Sequence, residues 1–149
     1  MRIARPLHVH LLLLASLALF AAACAPLIAG YSLEAYRNAT SLKAETLAII
    51  AHADEPFPQH AQEVRDLQIR LAAAHEFAAG MPRNTLSANQ WQIMVDPTRS
   101  MAGGLLARWQ RETTLNPVFV REQSAQIARA FDDIICLEAN KEQDTACEN

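Results

Sequence analysis

Apolar residues recur in steps of three and four along most of the chain, which is the spacing of one face of an α-helix. The clearest run is Val64, Leu67, Leu71, Ala74 and Ala78. The sequence shows no strand-like alternation of β-branched residues, and it holds only 4 glycines in 149 residues. The pattern therefore predicts an all-α protein: an antiparallel bundle of three long helices plus a short broken helical hairpin.

Prolines, glycines and capping residues set the bounds of the predicted helices. Ser87 and Gln90 fit a capping box at the start of the hairpin, and Gly103-Gly104 is expected to be a flexible point within it. Asn116-Pro117 predicts a cap and first turn. We expect long helices over 32–52, 59–79 and 118–140, and short helical segments over 87–95 and 105–109.

The most distinctive apolar run is Leu11 to Phe20, which follows Arg2 and Arg5 and precedes Ala21-Ala22-Ala23-Cys24. A run of about 10 residues has the length of a signal-peptide core and is shorter than a membrane-spanning helix. Ala21 to Cys24 resembles the lipobox of bacterial lipoproteins. The resemblance implies that the leader is removed and that Cys24 carries the lipid. Ala25 is not the aspartate that retains such proteins at the inner membrane, so the resemblance favours the periplasmic face of the outer membrane.

Two alternatives to lipid attachment stay open. The apolar stretch continues past Cys24, so from Val9 it is about 20 residues long, enough to span the inner membrane as an uncleaved N-terminal helix. Alternatively, Cys24 is a small apolar residue in an ordinary cleaved secretory leader.

Cleavage before Cys24 leaves a chain of single-domain size. The predicted organisation is a signal peptide (1–23), a short tether (24–31), the helical domain (32–141) and a polar tail (142–149). The formal net charge of the full chain is −3, and loss of Arg2 and Arg5 makes the remainder more acidic. Such a balance gives no electrostatic footprint for nucleic acid.

With Cys24 acylated, Cys136 and Cys147 are the remaining cysteines. An even pair in the oxidising periplasm is a candidate disulfide. The alternative is a buried Cys136 and a free Cys147 in the polar tail.

The histidines and carboxylates give weak candidates for a metal or catalytic site. His52 and His60 are separated by a proline break, and His75 and Glu76 point about 100° apart on a helix. Neither arrangement has the helical spacing of paired zinc ligands. We therefore expect no metal centre, no catalytic constellation and no cofactor.

Both tryptophans lie in the broken hairpin, together with methionines and arginines, residue types that are enriched at binding interfaces. The alternative is that the tryptophans fill the core. The candidate partner surface consists of Trp91, Met94, Arg99, Met101, Arg108 and Trp109.

These features favour a membrane-anchored, non-catalytic binding or scaffolding module for an envelope protein partner. A second hypothesis is an envelope enzyme, or an accessory to one, that uses a cleft beside the Trp91–Trp109 hairpin. A third is a metal or small-ligand binder that uses the histidines.

Overall fold

The computed structural model describes residues 28–141, and the part of the chain that it describes contains helices and no strand. The predicted all-α class is confirmed. None of the described helices is long and apolar enough to cross a membrane. The predicted signal segment, Cys24 and the tail from residue 142 lie outside the described residues. The helices are α1 (Leu33–Ile50), a 3₁₀ turn (Phe57–Gln59), α2 (Ala61–Gly80), α3 (Thr85–Val95), α4 (Ala102–Glu112) and α5 (Pro117–Ala139).

Two helix starts follow directly from the local sequence. The Ser32 hydroxyl accepts a hydrogen bond from the Ala35 N–H at the first turn of α1. The Asn116 side chain accepts from the N–H groups of Val118 and Phe119, with Pro117 in the first turn of α5. These contacts satisfy backbone donors that no carbonyl within the helix can reach.

The start of α3 differs from the prediction. The helix begins at Thr85, and Ser87 is fully buried within it, so the predicted capping box at Ser87 and Gln90 is wrong. Asn84 occupies the cap position, but its amide donates to the Ala78 carbonyl, 2.9 Å away, and makes no cap bond. Tertiary packing of this loop therefore overrides the local capping signal.

Gly103 and Gly104 lie in the first turn of α4 and do not form a flexible joint. A Cβ on Gly103 would collide with the Val95 backbone, and one on Gly104 would collide with the Arg99 carbonyl. The glycines are needed because the chain leaving α3 passes directly over the start of α4.

The core forms where the apolar faces of all five helices meet. The predicted seam of α2 is buried along its whole length. Fully burying a large apolar side chain stabilises the fold by about 1.5–3 kcal/mol, so these residues dominate its stability. The largest buried apolar side chains include Trp109, Phe131, Ile50, Leu67, Leu71, Met94, Leu106, Ile127 and Ile134.

One end of the domain, called here the α1-start end, gathers the chain before α1, the α2–α3 connection and the end of α5. The Ala29 N–H donates to the Arg83 carbonyl at 3.0 Å, and Ala29 is buried. Lys141 reaches Asn84 at this end. The packed domain thus begins within the stretch predicted as a tether.

The opposite end carries the α1–α2 and α4–α5 connections, which two backbone hydrogen bonds join. The Leu115 N–H donates to the Ala53 carbonyl at 2.8 Å, and the Phe57 N–H donates to the Thr113 carbonyl at 2.8 Å. These bonds hold the residues between α1 and α2 in a defined path.

Candidate metal centre

Two histidines and a carboxylate converge in the α1–α2 connection. The Glu55 carboxylate lies between them, with Oε1 2.9 Å from His52 Nδ1 and Oε2 2.8 Å from His60 Nε2. The imidazole rings of His52 and His60 are stacked, with centroids 5.1 Å apart. One potential ligand atom from each residue lies within 4.8 Å of the other two. His52, Glu55 and His60 are called the His–Glu–His cluster below.

The proline-containing break creates this convergence. Residues 51–53 continue the last turn of α1 with backbone bonds such as His52 N–H to the Ile49 carbonyl. Pro56 is extended, and the 3₁₀ turn that follows returns the chain so that His60 precedes α2. The proline break therefore brings His52 and His60 together, although their spacing in the sequence is not that of paired ligands on one helix.

Hydrogen bonding within the cluster shifts two pKa values in opposite directions. The side-chain bond to Glu55, reinforced by its negative charge, raises the pKa of His52 above 6.5. The bonds to His52 and then His60 lower the pKa of Glu55 below 4.5. Both directions are those expected when an ionised carboxylate accepts hydrogen bonds from neighbouring imidazoles, because the bonds stabilise the charged carboxylate and the protonated ring.

Aromatic packing holds the ring of His60, and a second carboxylate lies near its outer nitrogen. Its ring centroid lies 5.3 Å from that of Trp109, and Trp109 Nε1 donates to the Glu55 backbone carbonyl at 2.9 Å. Phe57 meets Trp109 edge-on, with centroids 5.5 Å apart. On the far side of the His60 ring, Nδ1 lies 3.5 Å from Glu63 Oε2. His60 is thus held from several directions, and its side chain is 14 % exposed.

The cluster offers a donor set that suits zinc and similar divalent transition metals. Two imidazole nitrogens and a carboxylate oxygen are common zinc ligands, and three protein ligands leave a coordination position open. A carboxylate on the outer nitrogen of a metal-binding histidine orients the ring, and Glu63 stands in that position relative to His60. His52 and Glu55 are about half exposed, so an ion can reach them from solvent.

The other polar residues considered from the sequence do not join the cluster. His75 lies on α2 with Nδ1 3.6 Å from Glu76 Oε1. Asp54, next to Glu55 in the chain, also lies outside the cluster and lines a groove of about 510 Å³ between α1 and α5, together with Leu47 and Val120. The signal that the sequence offered was a pair of histidines flanking a Glu-Pro-Phe-Pro segment.

The predicted partner surface divides into buried and surface positions. Trp91, Met94 and Trp109 are 2 %, 1 % and 0 % exposed. Trp91 packs edge-on against Phe131 with centroids 6.0 Å apart. These three side chains belong to the core, so the prediction that they form part of a partner surface is wrong.

The remaining hairpin positions are less buried. Arg99 is exposed, and Met101 and Arg108 are half-buried. A partner surface formed by these three residues stays a prediction.

Arg99, Arg108 and Arg111 line one cleft of about 190 Å³ beside this hairpin. The Arg108 guanidinium lies 4.2 Å from the centre of the Phe119 ring, and its Nε donates to Glu112 Oε1 at 2.9 Å. Arg99 Nε is 3.8 Å from Asp96 Oδ2. No acidic residue is among the described residues that line the cleft.

Cys136 is disulfide-bonded, and its Sγ also lies 3.2 Å from the Asn140 amide nitrogen. Cys147 lies outside the described residues. The Cys136–Cys147 pairing therefore stays a prediction.

A scan against protein-family models finds no match to this chain, and searches of curated proteins and of solved structures find none either.

Proposed function

We propose that this protein is a lipid-anchored, non-catalytic binding module of the cell envelope whose helical domain binds a divalent transition metal of the zinc class. The proposed ligands are His52, Glu55 and His60. Of the three functions considered from the sequence, binding through histidines is the one supported by a specific group of side chains. The lipid anchor at Cys24 rests on the resemblance of Ala21 to Cys24 to a lipobox.

The observation that carries the metal proposal is the convergence of the three ligand atoms within 4.8 Å of one another. Zinc holds imidazole nitrogen and carboxylate oxygen at about 2.0–2.2 Å, so an ion between these atoms requires only small side-chain movements. The backbone hydrogen bonds at Ala53 and Phe57 hold the chain around the cluster, which reduces the entropy lost when the ion binds.

Zinc titration by calorimetry, with a competing chelator, tests the proposal. We expect one ion per chain and a rise in the unfolding temperature, since ligand at about 100 times its Kd stabilises a fold by about 2.7 kcal/mol. His52→Ala removes a half-exposed ligand. Loss of a group that only orients a ligand weakens metal binding by about 10- to 100-fold, so loss of the ligand itself should weaken it by at least that much.

His75→Ala is the matched control, because His75 lies outside the cluster and its loss should leave the affinity unchanged. Glu63→Gln should weaken binding by about 10- to 100-fold if Glu63 orients His60. Equal zinc affinity in the wild type and in His52→Ala would show that the cluster is only an ion-pair network.

The anchor is tested separately with Cys24→Ala. We expect this variant to lose acylation and to leave the membrane fraction, because the attached acyl chains provide the membrane affinity. An uncut Cys24→Ala chain that still sediments with membranes would favour the spanning-helix alternative. Release of a cleaved, unacylated wild-type chain would favour ordinary secretion.

We also propose that the helices form the antiparallel bundle predicted from the sequence. Arg70 of α2 pairs with Glu45 of α1, and Lys43 lies 2.5 Å from Asp132 of α5. Phe77, near the end of α2, lines a groove with Glu34 at the start of α1. These pairings support opposite directions for neighbouring long helices.

The arginine-lined cleft favours a second candidate function, binding of a small anion such as a carboxylate or phosphate. Arg108 is oriented by Phe119 and Glu112, and guanidinium groups suit planar or tetrahedral anions. Titration with inorganic phosphate should give saturable binding that Arg108→Gln and Arg111→Gln weaken. The control is Arg70→Gln on α2, and equal weakening by that variant would exclude a specific site.

The predicted role as a scaffold for an envelope protein is compatible with either ligand. Cross-linking in the native envelope followed by identification of the cross-linked protein tests it. Recovery of the chain without a reproducible partner would count against the scaffold role.

A further inference from the structure

Exposed large apolar side chains are concentrated at the α1-start end of the domain. Leu33 and Leu86 are 49 % and 56 % exposed, in the first turns of α1 and α3. The other exposed large apolar residues of the described chain lie elsewhere: Ile69 in the middle of α2, Ile93 near the end of α3 and Val118 in the first turn of α5, at the opposite end of the domain. The set at the α1-start end is Ile28, Tyr31, Leu33, Phe77 and Leu86.

This end is held together by contacts between distant parts of the chain. Ala29 is bonded to Arg83, and Lys141 Nζ lies 2.6 Å from Asn84 Oδ1. The exposed side chains therefore stand on a connected base and do not sit on separate loops. A fixed apolar group of this kind on a small domain indicates a contact surface.

The chain itself indicates what this surface meets. Ile28 is four residues after Cys24, and four extended residues reach at most about 14 Å. The 18 residues of α1 extend about 27 Å from the α1-start end toward the other end of the domain. A lipid on Cys24 therefore brings the α1-start end, and not the opposite end, against the bilayer.

We infer that the α1-start end is a bilayer-contact surface, in which Tyr31, Leu33 and Leu86 enter the headgroup region. The inference rests on the proposed lipid attachment at Cys24. Because the anchor keeps this end beside the membrane, weak partitioning of a few side chains is enough to orient the domain. Tyrosine is favoured at the depth where apolar and hydrated regions meet.

Charge at this end indicates an apolar contact rather than one based on anionic lipid. Arg37 and Arg83 are exposed, but so are Glu34 and Glu76, and Lys141 is buried beside Glu138. A mixed surface lacks the basic cluster that anionic headgroups attract. In this orientation the His–Glu–His cluster, at the far end of α1, faces away from the bilayer.

Photo-crosslinking of the full-length acylated protein in native membranes tests the inference. The photoreactive residue p-benzoylphenylalanine is placed at Leu33 or Leu86, with Ile69 and Val118 as matched exposed apolar controls. Mass spectrometry then measures lipid adducts. We expect several-fold more lipid adducts at Leu33 and Leu86 than at the controls.

A double variant at Leu33 and Leu86 strengthens the test, because both side chains are exposed and polar replacements there do not enter the core. With the probe at Tyr31, Leu33→Glu plus Leu86→Glu should reduce lipid adducts several-fold, while the chain stays acylated and binds zinc as before. Equal lipid adducts at all probe positions, or protein adducts alone at Leu33 and Leu86, would overturn the bilayer contact. Failure of the lipid attachment is distinguished by a wild-type chain that mass spectrometry finds unacylated, which overturns both proposals.

Discussion

Gly103 shows how a single position is determined by the backbone that passes over it. Its φ is not in the left-handed region, so the requirement is for space and not for an unusual conformation. The obstacle is the Val95 backbone, which cannot move aside as the end of a flexible side chain can.

Gly103→Ala is therefore expected to destabilise the protein by about 1–3 kcal/mol, because the added methyl group forces the packed backbone to shift. Gly80→Ala is the control, because a Cβ there meets nothing within 4 Å and alanine is the better helix former. Denaturant unfolding measures both. A Gly103→Ala variant as stable as the wild type would contradict the close approach of α3 and α4.

Glu138 is also determined by its tertiary surroundings, and no pattern in the sequence had singled it out. It is fully buried at the end of α5, with Oε2 2.5 Å from Lys141 Nζ, and its Oε1 has no hydrogen-bond partner among residues 28–141. Lys141 also donates to Asn84. The buried pair thus connects the end of α5 to the α2–α3 connection.

Lys141→Met should destabilise the fold by about 3–5 kcal/mol, because it leaves the Glu138 carboxylate buried without a counter-charge. Adding Glu138→Leu should recover much of the loss, since apolar replacement of both partners of a buried pair is often neutral or stabilising. The free energy of unfolding is measured by urea titration. A double variant less stable than Lys141→Met would show that the carboxylate has another stabilising contact.

Among the connections, the turn between α3 and α4 depends on Asp96. Its Oδ1 accepts hydrogen bonds from the Thr98 N–H at 2.8 Å and from the Thr98 hydroxyl at 2.7 Å. These bonds lower the pKa of Asp96 below 3.8. The ionised carboxylate therefore stabilises the turn that leads into the glycine-rich start of α4.

The stability that Asp96 adds should be fully present above about pH 4 and be lost as the pH falls through its lowered folded-state pKa. The stability difference between the wild type and Asp96→Asn should accordingly shrink on acidification. Thr98→Val, which removes only the hydroxyl donor, should show part of the effect. A difference independent of pH would contradict an ionised Asp96 in this turn.

The helices illustrate how far local signals extend. Apolar periodicity and prolines predicted the existence of all five α-helices and the bounds of four of them to within about two residues, because side-chain spacing and backbone restriction act within a few residues. The exception is α4, which extends about three residues beyond the predicted 105–109 segment at each end. The start of α3 was missed by two residues in sequence because Asn84 bonds to Ala78 and Lys141. Such contacts join distant residues, so no local pattern reports them.

At the scale of the whole molecule, the disulfide of Cys136 lies near the α1-start end of the domain. Cys136 lies on the last turns of α5, near the α1-start end, and is disulfide-bonded. A bond from Cys136 to Cys147 would close a short loop at this end. It would stabilise the fold by about 2–3 kcal/mol at most.

Counting reactive thiols in the unreduced, acylated protein checks this pairing. We expect none, because Cys24 carries lipid and the other cysteines are oxidised. After reduction two thiols should appear. Two reactive thiols before reduction would show that Cys136 and Cys147 are not paired with each other, and a disulfide-linked dimer on a non-reducing gel would show pairing between chains.

The sequence alone determined the helical class and the main helix bounds, since each depends on short runs of residues. The envelope localisation stays a prediction from the lipobox-like Ala21 to Cys24. Only the tertiary structure decided that both tryptophans are buried, and it placed His52 and His60 on the two sides of Glu55. The direction in which the chain returns after Pro56 depends on the backbone hydrogen bonds that join this segment to Thr113 and Leu115. Those residues are more than fifty positions away, so spacing within the segment does not determine the site.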